Sequence, residues 1–325
     1  MTSSTLPTTA QAAYITTIGG PDRIRIGALP LPPVGPSDCL IAVHAAAVDR
    51  VDTYVRAGTF QTALTFPFVV GRDAWGTVVA TGASVTEFAV GDRVWTNSAG
   101  YDGRQGVTAT NAVIPAARLA PLPEGVDPDA WLALVHPGAT AAIIVNQLLQ
   151  LKPGARLLVA GGAGHVGRLL IQCARLQGLT VTATCAPRDF DTVAALGANP
   201  VDYHEGWARH LSSPVAAVVD TSGRVPLQQS LDVLAPGGQI VVMATPPKPQ
   251  ASFDLPRFYM NRQRLVGFVI SHASLAELTA ANRFLVAHAA ALAPLAYRVL
   301  PLAQTAAAHR DVCDPRVKDR LLIRP

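Results

Sequence analysis

A chain of 325 residues is long enough for two domains with complete cores. With 50% hydrophobic and only 15% charged residues, the composition excludes a disordered or tail-like protein. The formal charge of +4 comes without any Lys/Arg block, which argues against a nucleic-acid surface and fits an anionic ligand equally well.

The first residues, Met1-Thr2-Ser3-Ser4-Thr5, have neither the basic region nor the apolar run of a signal peptide. Four cysteines (Cys39, Cys173, Cys185, Cys313) lie far apart with no C-x-x-C pair. They read as reduced thiols of a soluble, cytoplasmic protein and not as a disulfide framework or zinc knuckle. Through about residue 125 the chain is rich in Val, Thr, Gly and Pro. Short β-like runs at 12–18, 39–45, 76–81 and 93–96 are separated by turns such as Gly19-Gly20-Pro21-Asp22 and Gly91-Asp92. This predicts a small β-barrel-like domain with little helix. The apolar segment 131–151 holds His136, Pro137, Asn146 and Gln147, and reads as a buried helix, not a membrane span. Apolar runs at 156–160, 180–185, 216–221, 239–245 and 264–270 then alternate with helical patterns, the signature of a doubly wound parallel sheet. After about residue 271 come a helical Ala/Leu segment and a last strand, 320–323, which return to the first domain. The expected division is therefore 1–126 with 272–325, and 127–271.

The most informative stretch lies at the start of the second domain. The apolar run Leu157-Leu158-Val159-Ala160 enters Gly161-Gly162-Ala163-Gly164-His165-Val166-Gly167, and a helical pattern follows until Gly178. In that context a Gly162-x-Gly164-x-x-Gly167 turn means dinucleotide binding. Gly162 allows the sharp turn, Gly164 lets a pyrophosphate approach the backbone, and Gly167 lets helix and strand pack closely. The helix N-terminus then faces the phosphates with open N–H groups. An NAD-using protein usually carries Asp or Glu about 20 residues further on, to hold the ribose 2′-hydroxyl. Here the next strand ends in Cys185-Ala186-Pro187-Arg188. Cys185 offers no carboxylate, and Arg188 is able to pair with a 2′-phosphate, so NADPH is the expected cofactor. Arg188 also reads as a solvated surface charge, and Asp189 beside it weakens the pocket.

Taken in order, several segments resemble the medium-chain dehydrogenase/reductase superfamily, and within it the zinc-independent, zeta-crystallin-like quinone oxidoreductases. They are Val48-Asp49-Arg50-Val51-Asp52-Thr53-Tyr54, Val70-Gly71-Arg72-Asp73-Ala74-Trp75-Gly76, Val90-Gly91-Asp92-Arg93-Val94, the glycine turn, Leu196-Gly197-Ala198 and Leu234-Ala235-Pro236-Gly237-Gly238. The resemblance implies an α/β protein: a GroES-like β-barrel catalytic domain plus a Rossmann, doubly wound parallel-sheet cofactor domain, with the active site in the cleft between them. It further implies a homodimer joined by edge pairing near 264–270. A small-molecule quinone or α,β-unsaturated carbonyl is the implied substrate, and no membrane is involved. Thr140, Val166, Ala244, Thr245 and the Phe268–Val269 backbone match positions that cradle the cofactor, and Tyr203 matches a tyrosine that reaches the 2′-phosphate or is simply a strand-end packing residue. His165 is unusual within the turn and reads either as a phosphate contact or as a solvent-facing side chain.

Zinc dehydrogenases of this superfamily bind metal through Cys, a His-Glu pair and a second Cys. The matching positions here are Asp49, Arg72-Asp73 and His136. No thiolate is present and Arg cannot deprotonate to ligate a metal, so no catalytic zinc is expected. Asp49, Asp73 and His136 leave room only for a weaker, oxygen-loving ion. Arg72 is either a cationic stand-in for the metal or a structural partner of Asp49 or Asp73. Val51 replaces the hydroxyl residue that relays a proton in alcohol dehydrogenases, which favours reduction of a quinone or an activated C=C. Tyr54 reads equally as proton donor and as aromatic wall, and Tyr101 reads as a loop aromatic at the pocket mouth or in solvent. Other readings are an enoyl-thioester reductase and, from a different class, a nicotinamide-binding redox sensor or RNA-binding protein with little catalysis.

Overall fold

A computed structural model describes residues 6–204, 206–244 and 250–325. In chain order, the first part contains β1 (Thr9–Ile15), β2 (Arg25–Pro30), β3 (Asp38–Val48), α1 (Arg50–Ala57), β4 (Phe68–Val69), β5 (Asp73–Thr81), β6 (Arg93–Thr96), β7 (Asn111–Pro115) and β8 (Ala120–Pro121). Then follow α2 (Pro128–Ile143), β9 (Arg156–Ala160), α3 (His165–Leu176), β10 (Thr180–Cys185), α4 (Phe190–Ala195), β11 (Asn199–Asp202) and β12 (Val215–Asp220). The remainder is α5 (Leu227–Asp232), β13 (Leu234–Val242), α6 (Leu255–Met260), β14 (Arg264–Gly267), α7 (Leu275–Ala287), β15 (Tyr297–Pro301), α8 (Thr305–Asp311) and β16 (Arg320–Arg324). Contacts divide the chain into one unit of Met1–His136 with Pro294–Pro325 and another of Pro137–Ala293.

The second unit is built on a six-stranded sheet in the order β11-β10-β9-β12-β13-β14, all pairs parallel. Relabelled by sequence, that is 3-2-1-4-5-6, the strand order of dinucleotide-binding folds. β9 is buried from Leu157 to Ala160, as a central parallel strand covered on both faces must be. α7 belongs to this unit: Gln147 Nε2 donates to the Glu277 carbonyl, and Ala293 N donates to Gln172 Oε1. The division expected from the sequence puts residues 272–293 with the first domain instead, because an Ala/Leu helix does not reveal which sheet it covers.

The first unit is largely antiparallel. A sheet β15-β16-β3-β5-β6-β8 carries β7 on β3, and a smaller sheet runs β2-β1-β4. β3 is long enough to pair with β5 on one side and with both β16 and β7 on the other. Ile41, Val43, Val78, Val94 and Ile114 form its core.

Segment edges moved where local pattern is weak. The strand expected at 239–245 spans Leu234–Val242 and runs through Pro236-Gly237-Gly238, with a register shift against β12. The strand expected at 12–18 ends at Ile15, and the one at 264–270 ends at Gly267. The apolar stretch from Pro128 to Leu149 is long and apolar enough to cross a membrane, yet 83% of its most apolar window is buried inside the protein. That is the property of a core helix.

Candidate functional site

In the second unit, the carboxyl end of β9 opens into the glycine turn. The left-handed residue is Gly161, with φ of 87°. Gly162 instead answers to sterics: a Cβ there would lie 2.6 Å from the Ala183 side chain on β10. A Cβ on Gly167 would run into the Gly161 carbonyl, so α3 approaches β9 as closely as only glycine permits. Gly164 differs. A Cβ there would meet nothing closer than 3.4 Å within the protein, and the residue is exposed, so the space it leaves is open to solvent. Gly164 is the N-cap of α3 and has no side chain to satisfy the first N–H groups, with His165 and Val166 half-buried in the first turn. These residues fit the pyrophosphate of a dinucleotide.

The residues expected at the ribose lie at neighbouring strand ends. Cys185 closes β10 in register with Asp202 of β11, and Tyr203 N donates to the Cys185 carbonyl at 3.4 Å. Burial pushes the Cys185 thiol up to about 11, so it stays neutral. Arg188 follows in the next turn with its side chain 73% exposed, 3.9 Å from Asp189. The Tyr203 ring stacks on His204 at 3.9 Å, and Asp202 accepts from His204 Nδ1 at 2.8 Å. Of the residues expected at the nicotinamide end, Thr140 is buried in α2, Ala244 follows β13, and Phe268 N donates to the Val242 carbonyl at 3.0 Å, with Val269 next in line. Thr245 lies outside the described residues.

The first unit contains a buried charged cluster where β3 passes into α1. Asp49 caps α1 and donates its N–H to Asp52 Oδ2 at 2.8 Å. His136 Nδ1 lies 3.2 Å from Asp73 Oδ1 and 3.7 Å from Asp49 Oδ2. Arg320, from β16, pairs Nη1 with Asp49 Oδ1 at 2.8 Å and donates Nε–H to the Ala133 carbonyl at 3.0 Å. The sequence reading took Arg320 only as a strand residue. Its signal is positional: Leu321 pairs with Val48, which sets Arg320 opposite Asp49.

Burial opposes the charge on Asp49, but Arg320 and then His136 outweigh it and hold its carboxyl well below the usual range. Asp52 is pushed up to about 8, first by burial and then by Asp49, so it keeps its proton at neutral pH. Asp73 rises to about 6 for the same two reasons. His136 is raised despite burial, because Asp49 and Asp73 both favour its charged form. Arg72 is buried, with its guanidinium carbon 5.2 Å from the Tyr101 ring centre, and its charge acts on both Asp52 and His136. Tyr101 also meets Phe60, with ring centres 5.6 Å apart. Tyr54, on α1, has 46% of its surface exposed.

Asp49, Asp73 and His136 bring three ligand atoms within 4.8 Å of one another. The set nevertheless does not fit a resident Zn²⁺: it contains no thiolate, and one carboxylate already holds a guanidinium.

Two family models match, the alcohol dehydrogenase GroES-like domain over residues 35–124 and the zinc-binding dehydrogenase over residues 166–286. A 2-haloacrylate reductase of Burkholderia sp is 32% identical over 240 residues, covering 70% of this chain and 71% of its own. The chain belongs to the medium-chain dehydrogenase/reductase superfamily, among its zeta-crystallin-like members. A quinone oxidoreductase of Sus scrofa is 28% identical over 314 residues and 92% of each chain. A mycobacterial protein solved in complex with NADPH superposes with a TM-score of 0.83 at 28% identity, over 97% of this chain and 100% of that one. As a member of this superfamily, the protein is an oxidoreductase that uses a nicotinamide cofactor on a small molecule.

Proposed function

We propose that the protein is a zinc-free, NADPH-dependent, cytoplasmic reductase that delivers hydride to a quinone or to the β-carbon of an activated C=C. One observation carries the reading: a dinucleotide cradle whose second strand ends in a neutral, buried Cys185 where an NAD enzyme carries Asp or Glu, with Arg188 in the following turn, although Asp189 and, on the next strand, Asp202 lie close to that thiol. Gly162, Gly164 and Gly167 would hold the pyrophosphate, Arg188 and Tyr203 the 2′-phosphate, and Thr140, Ala244 and the Phe268–Val269 backbone the nicotinamide end. When bound, the nicotinamide supplies the hydride.

The chain's own work is positioning and charge. Arg72 offers a permanent positive charge toward the oxygen on which negative charge develops. Tyr54 offers a hydroxyl proton from an exposed position on α1. Val51 has no hydroxyl, which disfavours alcohol oxidation and favours acceptors that need less acid help. The kinship with a 2-haloacrylate reductase supports an activated C=C, and that with quinone oxidoreductases supports a quinone. Four unpaired cysteines support a reducing compartment.

Stopped-flow NADPH oxidation against quinones, enals and enoyl-CoA compounds tests the reading, with turnover expected on the first two classes. Tyr54→Phe is expected to slow enal reduction while leaving quinones, which collect protons from water, near the parental rate. Turnover on enoyl-CoA alone would replace this reading with an enoyl-thioester reductase.

A further inference from the structure

We propose that Cys313 is a site of reversible oxidation by hydrogen peroxide, with the Arg56 guanidinium as the group that holds the oxidised, anionic sulfur in place. Cys39, Cys173 and Cys185 are buried, whereas Cys313, just past α8, is exposed. Its surroundings set this thiol apart. Thr53 Oγ1 donates to the Arg50 carbonyl at 2.7 Å and lies 3.7 Å from Cys313 Sγ. A hydroxyl has one proton, so toward sulfur the Thr53 oxygen is the acceptor and the thiol the donor. That contact orients Sγ against α1. Arg50 Nε donates to the Val312 carbonyl at 3.3 Å and ties the same segment to α1 a second time.

Arg56, one turn further along α1, is 6% exposed. Its Nη2 donates to the Thr53 carbonyl at 3.4 Å, while Nε and Nη1 have no hydrogen-bond partner among the described residues. A buried guanidinium with two unanswered N–H groups calls for an anion. Burial weighs against its charge, and of the neighbours that favour it Cys313 comes first, ahead of Asp22, with Arg310 opposing. His309, on α8, is neutral beside it and supplies no counter-charge. Oxidation supplies the missing anion. The Cys313 sulfur attacks one peroxide oxygen: an S–O bond forms, the O–O bond breaks, and the leaving hydroxide takes the thiol proton to become water. Sulfur loses two electrons and the peroxide gains them. The open Arg56 N–H groups offer charge-assisted donors to the resulting sulfenate oxygen. The same positive charge stabilises the oxygen that departs. No second thiol is exposed among the described residues, so the sulfenic acid persists until a small thiol reduces it. This inference rests on the first unit alone and is independent of which nicotinamide cofactor or substrate the protein uses.

Exposure of the full chain to hydrogen peroxide, with dimedone to trap sulfenic acid and mass spectrometry to locate it, tests the proposal. Label is expected at Cys313 and not at Cys39, Cys173 or Cys185. Arg56→Gln is expected to slow labelling of Cys313 at least about tenfold, the scale of one charge-assisted contact, and Arg56→Lys to recover part of the rate. An Arg56 that served packing alone would give the opposite sign, because its loss would loosen α1 against α8 and quicken labelling of Cys313 or of the buried thiols. Should Arg56→Gln fail to fold, Thr53→Val removes the oxygen that orients Sγ and is expected to slow labelling about threefold, the scale of a neutral hydrogen bond. The proposal is overturned if no label forms at Cys313 in the parent, or if the buried thiols label as fast. It is equally overturned if folded Arg56→Gln, or Thr53→Val in its place, labels at the parental rate or faster.

Discussion

At the scale of single residues, buried charge decides most of what distinguishes this chain. The role of Gly167 was legible because it is local, a Cβ there meeting the Gly161 carbonyl, whereas Gly162, expected to allow the sharp turn, is instead required by the Ala183 side chain on β10 and the left-handed turn falls on Gly161. Arg320 was not legible as the partner of Asp49, since 271 residues separate them and only the pairing of β16 with β3 joins them. His309 was equally silent in the sequence. It is 1% exposed on α8, and neither ring nitrogen has a hydrogen-bond partner among the described residues. Burial, then the charge of Arg56, lowers it to about 3. Its native-state value thus lies below the ordinary 6.5 of an imidazole, so on acidification the unfolded chain takes the proton first. Stability is full above about pH 6.5 and is lost as pH falls toward 3. Between pH 7 and pH 5 this one group is expected to cost about 2 kcal/mol. Urea unfolding of the parent and of His309→Leu at the two pH values checks it. A parent and variant with the same acid loss would refute the assignment.

Among elements, strands with strong apolar runs were found where the sequence placed them, as with β9 and β10. Boundaries slipped where pairing partners override composition, as at Pro236-Gly237-Gly238, which β12 draws into β13. β14 shows a different limit. Its four residues end in Gly267 and follow the short α6, and among the described residues it pairs only with β13. Leu265 is exposed on it, as are Leu255, Tyr259 and Met260 on α6. An edge strand with exposed apolar neighbours invites pairing with another chain. We expect a homodimer formed at this edge, with light scattering giving twice the 34.0 kDa chain mass and Leu265→Glu shifting the particle toward the monomer. A 34.0 kDa particle at micromolar concentration for the parent would contradict this.

For the whole molecule, the alternation of strand and helix made the doubly wound sheet readable. Its order β11-β10-β9-β12-β13-β14 is what a dinucleotide-binding unit requires. What the sequence could not fix was which unit owns α7, because Leu278, Ala281 and Leu285 are apolar positions that either core would accept. The functional claim turns on whether the strand-end chemistry at Cys185 and Arg188 selects a phosphorylated ribose. One measurement tests it most directly: fluorescence titration of the parent and of Arg188→Ala with NADPH and NADH. The parent is expected to bind NADPH at least about tenfold more tightly than NADH, a difference of about 1.4 kcal/mol and within reach of one charge-assisted contact. In Arg188→Ala that preference is expected to shrink while NADH affinity stays near the parent's. Equal affinity of the parent for the two cofactors would contradict the account.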